Sequence, residues 1–469
     1  MKEFETDYLI IGTGAIGMAF ADVILSETNA SMVLVDRYAK PGGHWNVAYP
    51  FVRLHQPSAF YGVSSRELGT GQIEVGGLND GLGELASGAE VSAYFEAVMR
   101  QQFVPSGRVH YFPMSNFEGK SGDKIGEFTS LVTGKTTRVK YKKRVDCTHL
   151  KTSVPSTHTP NFTVADGVRF IPLNDLPKIS EQPESFVVIG AGKTGIDACL
   201  WLLEHGVNPD DIRWIMPRDA WLIDRKNTQP TIEFFGDTME AQAAQFESIA
   251  SASSIEDMFD KLEACGYFLR IYTDTRPEMF HGATISQAEV EELRRIKNVV
   301  RLGRVSAIER DKIVLDKGDI PTTPNTLHID CSARAIANVE LKPIFQGDLI
   351  TPQMVRSYQP VFSAAFIAHI EATREDEAEK NRLCGVVPLP NHDTDYLRFT
   401  AAFMMNQYNW GQDKEIRNWL LENRLDGFSK LAKSITKDDT EKMAIMERLR
   451  ANSFPAMGKL QEFLAQLDE

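Results

Sequence analysis

The chain has 469 residues, 42% of them hydrophobic and 25% charged, with a formal net charge of −13. That length allows two or three domains with a large core, and the composition is that of a globular chain. The acidic balance disfavours nucleic acid and anionic membranes, which demand clustered Lys and Arg. No apolar run approaches a membrane span, and MKEFETDYLI lacks the basic-then-apolar order of a secretory signal.

Tyr8 to Ile11 is a short apolar run that reads as a buried parallel strand. Gly12, Gly14 and Gly17 follow in the spacing G-x-G-x-x-G, and Ala15 lies in the turn into a helix whose apolar face carries Ile16, Phe20, Val23 and Ile24. Met32 to Val35 make a second strand, ending at Asp36 and Arg37. In this order the glycines form a dinucleotide fingerprint. Gly12 permits the tight turn, Gly14 lets a pyrophosphate reach the backbone, and Gly17 lets helix and strand pack closely. The helix N-terminus supplies free N–H groups to the pyrophosphate. Asp36 is placed to accept from a ribose diol. A 2′-phosphate facing that carboxylate at ~4 Å and a dielectric near ~20 would cost roughly 4 kcal/mol, about a thousandfold in affinity. The first unit therefore reads as a site for FAD or NAD.

Residues 37–90 are irregular and rich in Gly, Pro, Ser and aromatics, the kind of long loop that lines a site. Ala89 to Phe103 has helical periodicity. Val109–Phe117, Glu127–Val132, Thr137–Tyr141 and Arg144–Cys147 read as a meander of strands. The basic run Lys135 to Arg144 alternates like the exposed face of a hairpin strand, which argues against a nucleic-acid patch. Pro155, Pro160, Pro172 and Pro177 mark residues 148–182 as a crossover between domains.

At Phe186 to Ile189 the opening pattern returns. A strand leads into Gly190, Gly192 and Gly195, with Lys193 and Thr194 between them. A helix follows with Leu200 and Leu203 on its apolar face and Gly206 at its C-terminal cap. The next strand ends Met216-Pro217-Arg218, with no acid where Asp36 stands in the first unit. Arg218 has the charge and planar donor fork that suit a 2′-phosphate. The second unit reads as an NADPH site, with NADH and a solvated Arg218 as the alternative. Arg225 and Lys226 follow shortly, and Lys193 either adds charge near the pyrophosphate or points to water.

Farther on, Met239 to Cys265 reads as a helical insertion, and Val299–Leu302, Lys312–Leu315 and Leu327–Cys331 as strands. Pro360, after Gln359, opens a helix expected to run to Asn381. Residues 395–469 are mostly helical, in runs Glu415–Glu422, Thr440–Leu449 and Lys459–Leu467. The charged faces of this tail leave a homo-oligomer open, although packing on the parent domain is the commoner use of such helices. The five cysteines, Cys147, Cys199, Cys265, Cys331 and Cys384, contain no C-x-x-C and no metal-ligand spacing. They fit free thiols in a reducing cytoplasm, with no metal site and no visible pair for disulfide reduction.

Two fingerprints in one chain, followed after the first by PGGHWNVAYPFVRLHQPS at 41–58, resemble the flavin-containing monooxygenases, especially their Baeyer–Villiger branch. The matching residues are Gly42, Gly43 and Trp45 of a G-G-x-W, then Tyr49-Pro50, Arg53 and Pro57-Ser58. The resemblance implies an α/β fold of two Rossmann-like domains. An FAD domain over 1–182 and 331–400 would carry an inserted NAD(P)H domain at 183–330, followed by a helical region at 401–469. FAD would be held by Gly12, Gly14, Ala15, Gly17, Asp36, Arg37, Gly43, His44 and Trp45, and NADPH by Gly190, Gly192, Lys193, Thr194, Gly195 and Arg218. The implied reaction passes hydride from NADPH to FAD. It then inserts one atom of molecular oxygen into a small organic substrate through a C4a-(hydro)peroxyflavin.

Within that reading Trp45 and Tyr49 either stack near the flavin or pack as ordinary core aromatics. Arg53 and His55 are the candidate catalytic groups, or else hydrogen-bond the loop backbone. Gln359, at a helix N-terminus, would face the pyrimidine edge of the flavin, where the helix dipole stabilises the reduced form. Arg356 lies close by in sequence, as a helper there or as a surface residue. Asp146-Cys147-Thr148 and Asp330-Cys331-Ser332 end strands as the A-T-G of these flavoproteins does, without its glycine. Two departures bear on the chemistry. The family's F-x-G-x-x-x-H segment appears as NFTVADGVRFI, with Gly167 but with Ile171 in the histidine's place. His55 also stands where the Baeyer–Villiger branch has an acid. They leave open a flavin oxidase or reductase that inserts no oxygen, and a non-catalytic dinucleotide-binding partner protein.

Overall fold

A computed structural model describes residues 2–119, 124–334, 339–436 and 438–468. Its opening strand, Lys2–Ile11, lies between Met32–Val35 and Thr136–Asp146, all three parallel. Val109–Phe112 extends this sheet on the far side of Met32–Val35, also in parallel. It is thus a Rossmann strand and not part of a meander. The expected run Val109–Phe117 breaks at Pro113, after which Ser115–Glu118 pairs antiparallel with Ile125–Ser130. The two runs expected at 137–147 are one strand, Thr136–Asp146. Its cations meet acids: Arg138 pairs with Glu127, Lys140 with Glu5 and Lys142 with Asp7. The basic run is therefore the neutralised face of a sheet.

The second unit holds a five-stranded parallel sheet in the order Asn298–Val300, Ile212–Ile215, Ser185–Ile189, Thr326–Asp330, Arg169–Pro172. The last strand comes from the Pro-rich stretch read as a crossover. The expected boundary at 182/183 therefore cuts between two strands of one sheet. A four-residue RFIP strand ending in proline carries too little alternation to announce itself, and Pro172 fits because it sits on a sheet edge. After Asp330 the chain returns to the first sheet, where Leu349–Ile350 pairs with Thr136–Asp146.

Helices cover both units. Pro360–Thr373 is buried from Val361 to Glu371 without interruption, so it is a core helix with no solvent face. It ends at Thr373, short of the expected Asn381, and Asp376 caps a separate helix, Glu377–Leu383. The helical insertion is likewise two helices, Phe235–Ala250 and Ile255–Ala264, the second capped by Ser254. Two runs in the tail merge into one helix, Thr440–Asp468, which carries Pro455 in its interior. All five cysteines are free, and Cys199, Cys331 and Cys384 are buried. Among the described residues no helix is long and apolar enough to cross a membrane, and no His, Cys, Asp and Glu group is arranged to hold a metal ion.

The tail docks on both units: Arg448 of Thr440–Asp468 pairs with Glu240 and Glu247 of Phe235–Ala250, and the segment before that helix lies on the first unit. Arg424 donates to the carbonyls of Ala59, Tyr61 and Val63, and Phe428 stacks on Phe60. Arg356 is buried, contrary to a surface role. It pairs with Asp426 at 2.6 Å and lies over the Phe362 ring at 3.7 Å. Removing one partner of such a pair strands a buried charge, at about 3–5 kcal/mol. Asp426→Ala is therefore expected to lower the urea midpoint sharply, and Arg356→Met with Asp426→Leu to recover most of the loss. A single variant with wild-type stability would show that the pair is not what holds the tail.

Candidate functional site

The two glycine turns are built alike. Gly12 and Gly190 have φ of +90° and +129°, outside the range of ordinary L-residues. A Cβ on Gly17 would fall on the Gly12 carbonyl oxygen, and one on Gly195 on the Gly190 carbonyl oxygen. Each following helix, Ala15–Glu27 and Lys193–Glu204, starts on a glycine with no side-chain cap and no acid in its first turn. By contrast Ser87, Ser254, Ser286, Asp376 and Asp413 cap their own helices. The two glycine helices thus begin with N–H groups that no side chain caps, as do Phe235–Ala250, Pro360–Thr373 and Asp395–Gln412.

The strand ends behind these turns also match. Asp146 accepts from the amide and hydroxyl of Thr148, and Asp330 from the amide and hydroxyl of Ser332. Cys147 and Thr148 press on Gly12 as Cys331 and Ser332 press on Gly190. In the first unit Gly43 folds directly onto Gly14. A Cβ on Gly43 would come within 2.9 Å of the Gly14 Cα, so both positions form a side-chain-free surface.

Asp36 is buried and turned inward. Its carboxylate accepts from the Thr13 amide, the Thr13 hydroxyl at 2.8 Å and the Tyr38 amide at 2.8 Å. It holds the glycine turn from below, which leaves a ribose only the acceptor capacity that these donors do not take. The Tyr111 hydroxyl is buried beside the Thr13 side chain. Arg37 is exposed. Trp45 donates its indole N–H to the Tyr61 hydroxyl at 2.8 Å, and the His44 ring lies against it. Burial holds His44 down to about 4, so it is neutral at neutral pH.

Arg53 and His55 occupy different surroundings. Arg53 pairs with Glu74 and donates to the Leu85 carbonyl, with its side chain 46% exposed. His55 accepts at Nδ1 from the Thr284 amide at 3.3 Å, which places the proton of the neutral ring on Nε2. Burial first, then the cations Lys193 and Arg225, push His55 down to about 3. Below pH ~6.5 the unfolded chain binds a proton that the folded chain refuses until about pH 3. Stability is therefore complete above pH ~6.5 and falls as pH drops, by up to about 1.4 kcal/mol per pH unit for this ring. His55→Gln is expected to flatten that slope in urea titrations between pH ~6.5 and ~4. An unchanged slope would place the acid sensitivity elsewhere.

In the second unit Lys193 does not point to water. Its Nζ donates to Asp197 one turn along, at 2.6 Å to Oδ1. Asp197 also accepts the Tyr49 hydroxyl at 2.6 Å. Arg225 is 1% exposed and spent on His55, Asn79 and Glu289, and Lys226 pairs with Asp237. Neither reinforces Arg218. Its neighbours are instead Arg304 and Arg334, which after burial push its guanidinium below the usual arginine range, against Glu278 and Asp393. Arg218 donates to the Asn391 side chain at 2.8 Å, and Asn391 also meets His281. Gln359 precedes Pro360 at the start of its helix, with Oε1 buried and unpartnered.

Sequence reasoning missed Thr13, Asp197, Thr284, Arg304 and Arg334. Only Lys193 and Asp197, four apart on a helix, left a local signal.

No family model matches the chain. The uncharacterized proteins Mb2023 of Mycobacterium bovis and Rv2000 of Mycobacterium tuberculosis are each 45% identical to it over 466 residues, covering 99% of this chain and 85% of theirs. Among solved structures, OTEMO in complex with FAD and NADP superposes with a TM-score of 0.50 at 12% identity, over 78% of this chain and 84% of that one. An open crystal structure of cyclohexanone monooxygenase gives 0.48 at 13% identity, over 81% and 92%. The chain has the two-domain α/β fold of the flavoprotein monooxygenases, and by its identity along almost all of its length it belongs to the family of the mycobacterial proteins Mb2023 and Rv2000.

Proposed function

We propose that this protein is an FAD- and NADPH-dependent oxidoreductase, and that it acts as a monooxygenase on a small organic substrate in the cytoplasm. The observation that carries the reading is the contrast between two equivalent glycine turns. One is backed by the Asp36 carboxylate, the other ends in a strand followed by Arg218, with no acid in that place. The first suits an unphosphorylated ribose and the second a 2′-phosphate.

The residues fit both cofactors. Uncapped N–H groups at Ala15 and Ile16, and at Lys193 and Thr194, would hold the pyrophosphates. The Gly14–Gly43 surface admits close backbone approach. The buried acceptor of Gln359 lacks a partner that a polar edge of a bound flavin dinucleotide would supply. FAD, when bound, supplies hydride acceptance and reaction with molecular oxygen. The chain's own part is to hold the two dinucleotides, exclude water with Trp45, Tyr49 and Tyr61, and present His55 as a neutral N–H donor.

Incubation with NADPH and isotopically labelled oxygen across ketone, amine and sulfide substrates tests the monooxygenase reading. Label in an organic product supports it. NADPH oxidation that yields only hydrogen peroxide with every class points to the second reading, an oxidase or reductase. That alternative is favoured by the neutral His55, which supplies no carboxylate where the resembling family has one.

A further inference from the structure

Among the polar contacts that join the two dinucleotide units is a part-buried chain through Tyr49, Asp197 and Lys193. Tyr49 belongs to the segment that folds onto the first glycine turn, yet its ring is packed in the core of the second unit, with Ile196 and Leu200. Phe51, two residues on, stacks on Trp201 of the same helix at 5.3 Å. The Tyr49 hydroxyl donates to Asp197 Oδ2, and Lys193, the first residue after the Gly192 cap, donates to both oxygens of the same carboxylate. Tyr49 is 5% exposed, and burial beside Asp197 keeps its phenol protonated, so it acts as a donor. His55, farther along the same segment, senses the Lys193 charge.

We propose that Lys193, Asp197 and Tyr49 form a coupling path through which occupation of the second dinucleotide site repositions the segment that contacts the first. Tyr49 is the positioning residue in it. The proposal rests on the reading of the second unit as a dinucleotide site. A pyrophosphate at the Lys193–Glu204 N-terminus draws the Lys193 ammonium toward itself. Asp197 then loses part of its neutralising partner. A less neutralised carboxylate grips its remaining donor more strongly, since hydrogen bonds to a charged acceptor are shorter and stronger. The remaining donor is Tyr49, so the pull is delivered to residues 45–51. By linkage the same path makes the state of the first site alter affinity at the second by an equal factor.

Titration of the flavin-loaded full chain with NADP+, followed by calorimetry and by flavin absorbance, tests the coupling. The wild type is expected to bind NADP+ with a saturable change in the flavin spectrum. Tyr49→Phe keeps the ring in the core and removes only the hydroxyl. It is expected to bind NADP+ within about threefold of wild type while losing most of the spectral change at saturation. Asp197→Asn is expected to lose it too. A purely packing role for Tyr49 would shift stability and leave the amplitude alone, so an undiminished change in Tyr49→Phe overturns the path and spares the site. Binding to the wild type without spectral change does the same. No NADP+ binding by calorimetry overturns the dinucleotide reading, and the path with it.

Discussion

Gly195→Ala is expected to give a protein that still carries flavin but no longer takes NADPH. The added Cβ would fall on the Gly190 carbonyl oxygen, which has nowhere to go. That oxygen accepts the Trp214 indole N–H at 2.8 Å, and Gly190 is itself pressed by the Cys331 carbonyl and held at φ +129°. Overpacking of this kind costs about 1–3 kcal/mol and is relieved only by pushing the helix off the strand. The helix start is the anion cradle, so the shift is paid in affinity, and NADPH binding by calorimetry should weaken at least about a hundredfold. Gly17→Ala repeats the clash against Gly12 in the first unit and should yield colourless protein. The pair of variants separates the two sites. Gly195→Ala with native NADPH affinity would mean that the second turn is not where the nucleotide lies.

The second large effect concerns choice of nucleotide. Arg218→Ala should weaken NADPH by about 10- to 150-fold, the range of 1.5–3 kcal/mol for charged hydrogen bonds, and leave NADH nearly unchanged. Burial first, then the charges of Arg304 and Arg334, disfavour the charged guanidinium, so a 2′-phosphate beside it would favour that charge. Arg218→Lys should recover only part of the loss, because the ammonium cannot offer the planar fork. Equal losses for NADPH and NADH would assign Arg218 to the pyrophosphate or to structure.

What could be read in advance follows how local each cause is. Gly12 and Gly190 are required by the positive φ of their own turns, and Gly17 and Gly195 by a carbonyl oxygen five residues back, so the two turns and their helices are legible in a short window. Asp36 was legible as an acid at a strand end, but its commitment to Thr13 was not, because that depends on the rotamer chosen in the folded turn. The strand Arg169–Pro172 is made by pairing with Thr326–Asp330, which no pattern within RFIP discloses. Arg218 was legible as a cation, while Arg304, Arg334 and Asn391 reach it only through the fold. Arg225 looked like its helper and proved to be a buried brace for residues 55 and 79. Tyr49 and Asp197 lie 148 positions apart, and nothing in either neighbourhood points to the other.

The proposed function requires one chain to hold two dinucleotide sites of opposite ribose preference. Anaerobic reduction of the purified, flavin-loaded protein, followed by bleaching of its visible absorbance against NADPH and NADH concentration, tests it most directly. A yellow protein is expected, with its flavin half-reduced at an NADPH concentration at least about tenfold below that needed for NADH. A colourless protein that ignores FAD, or a flavin that responds to the two nucleotides alike, would contradict it.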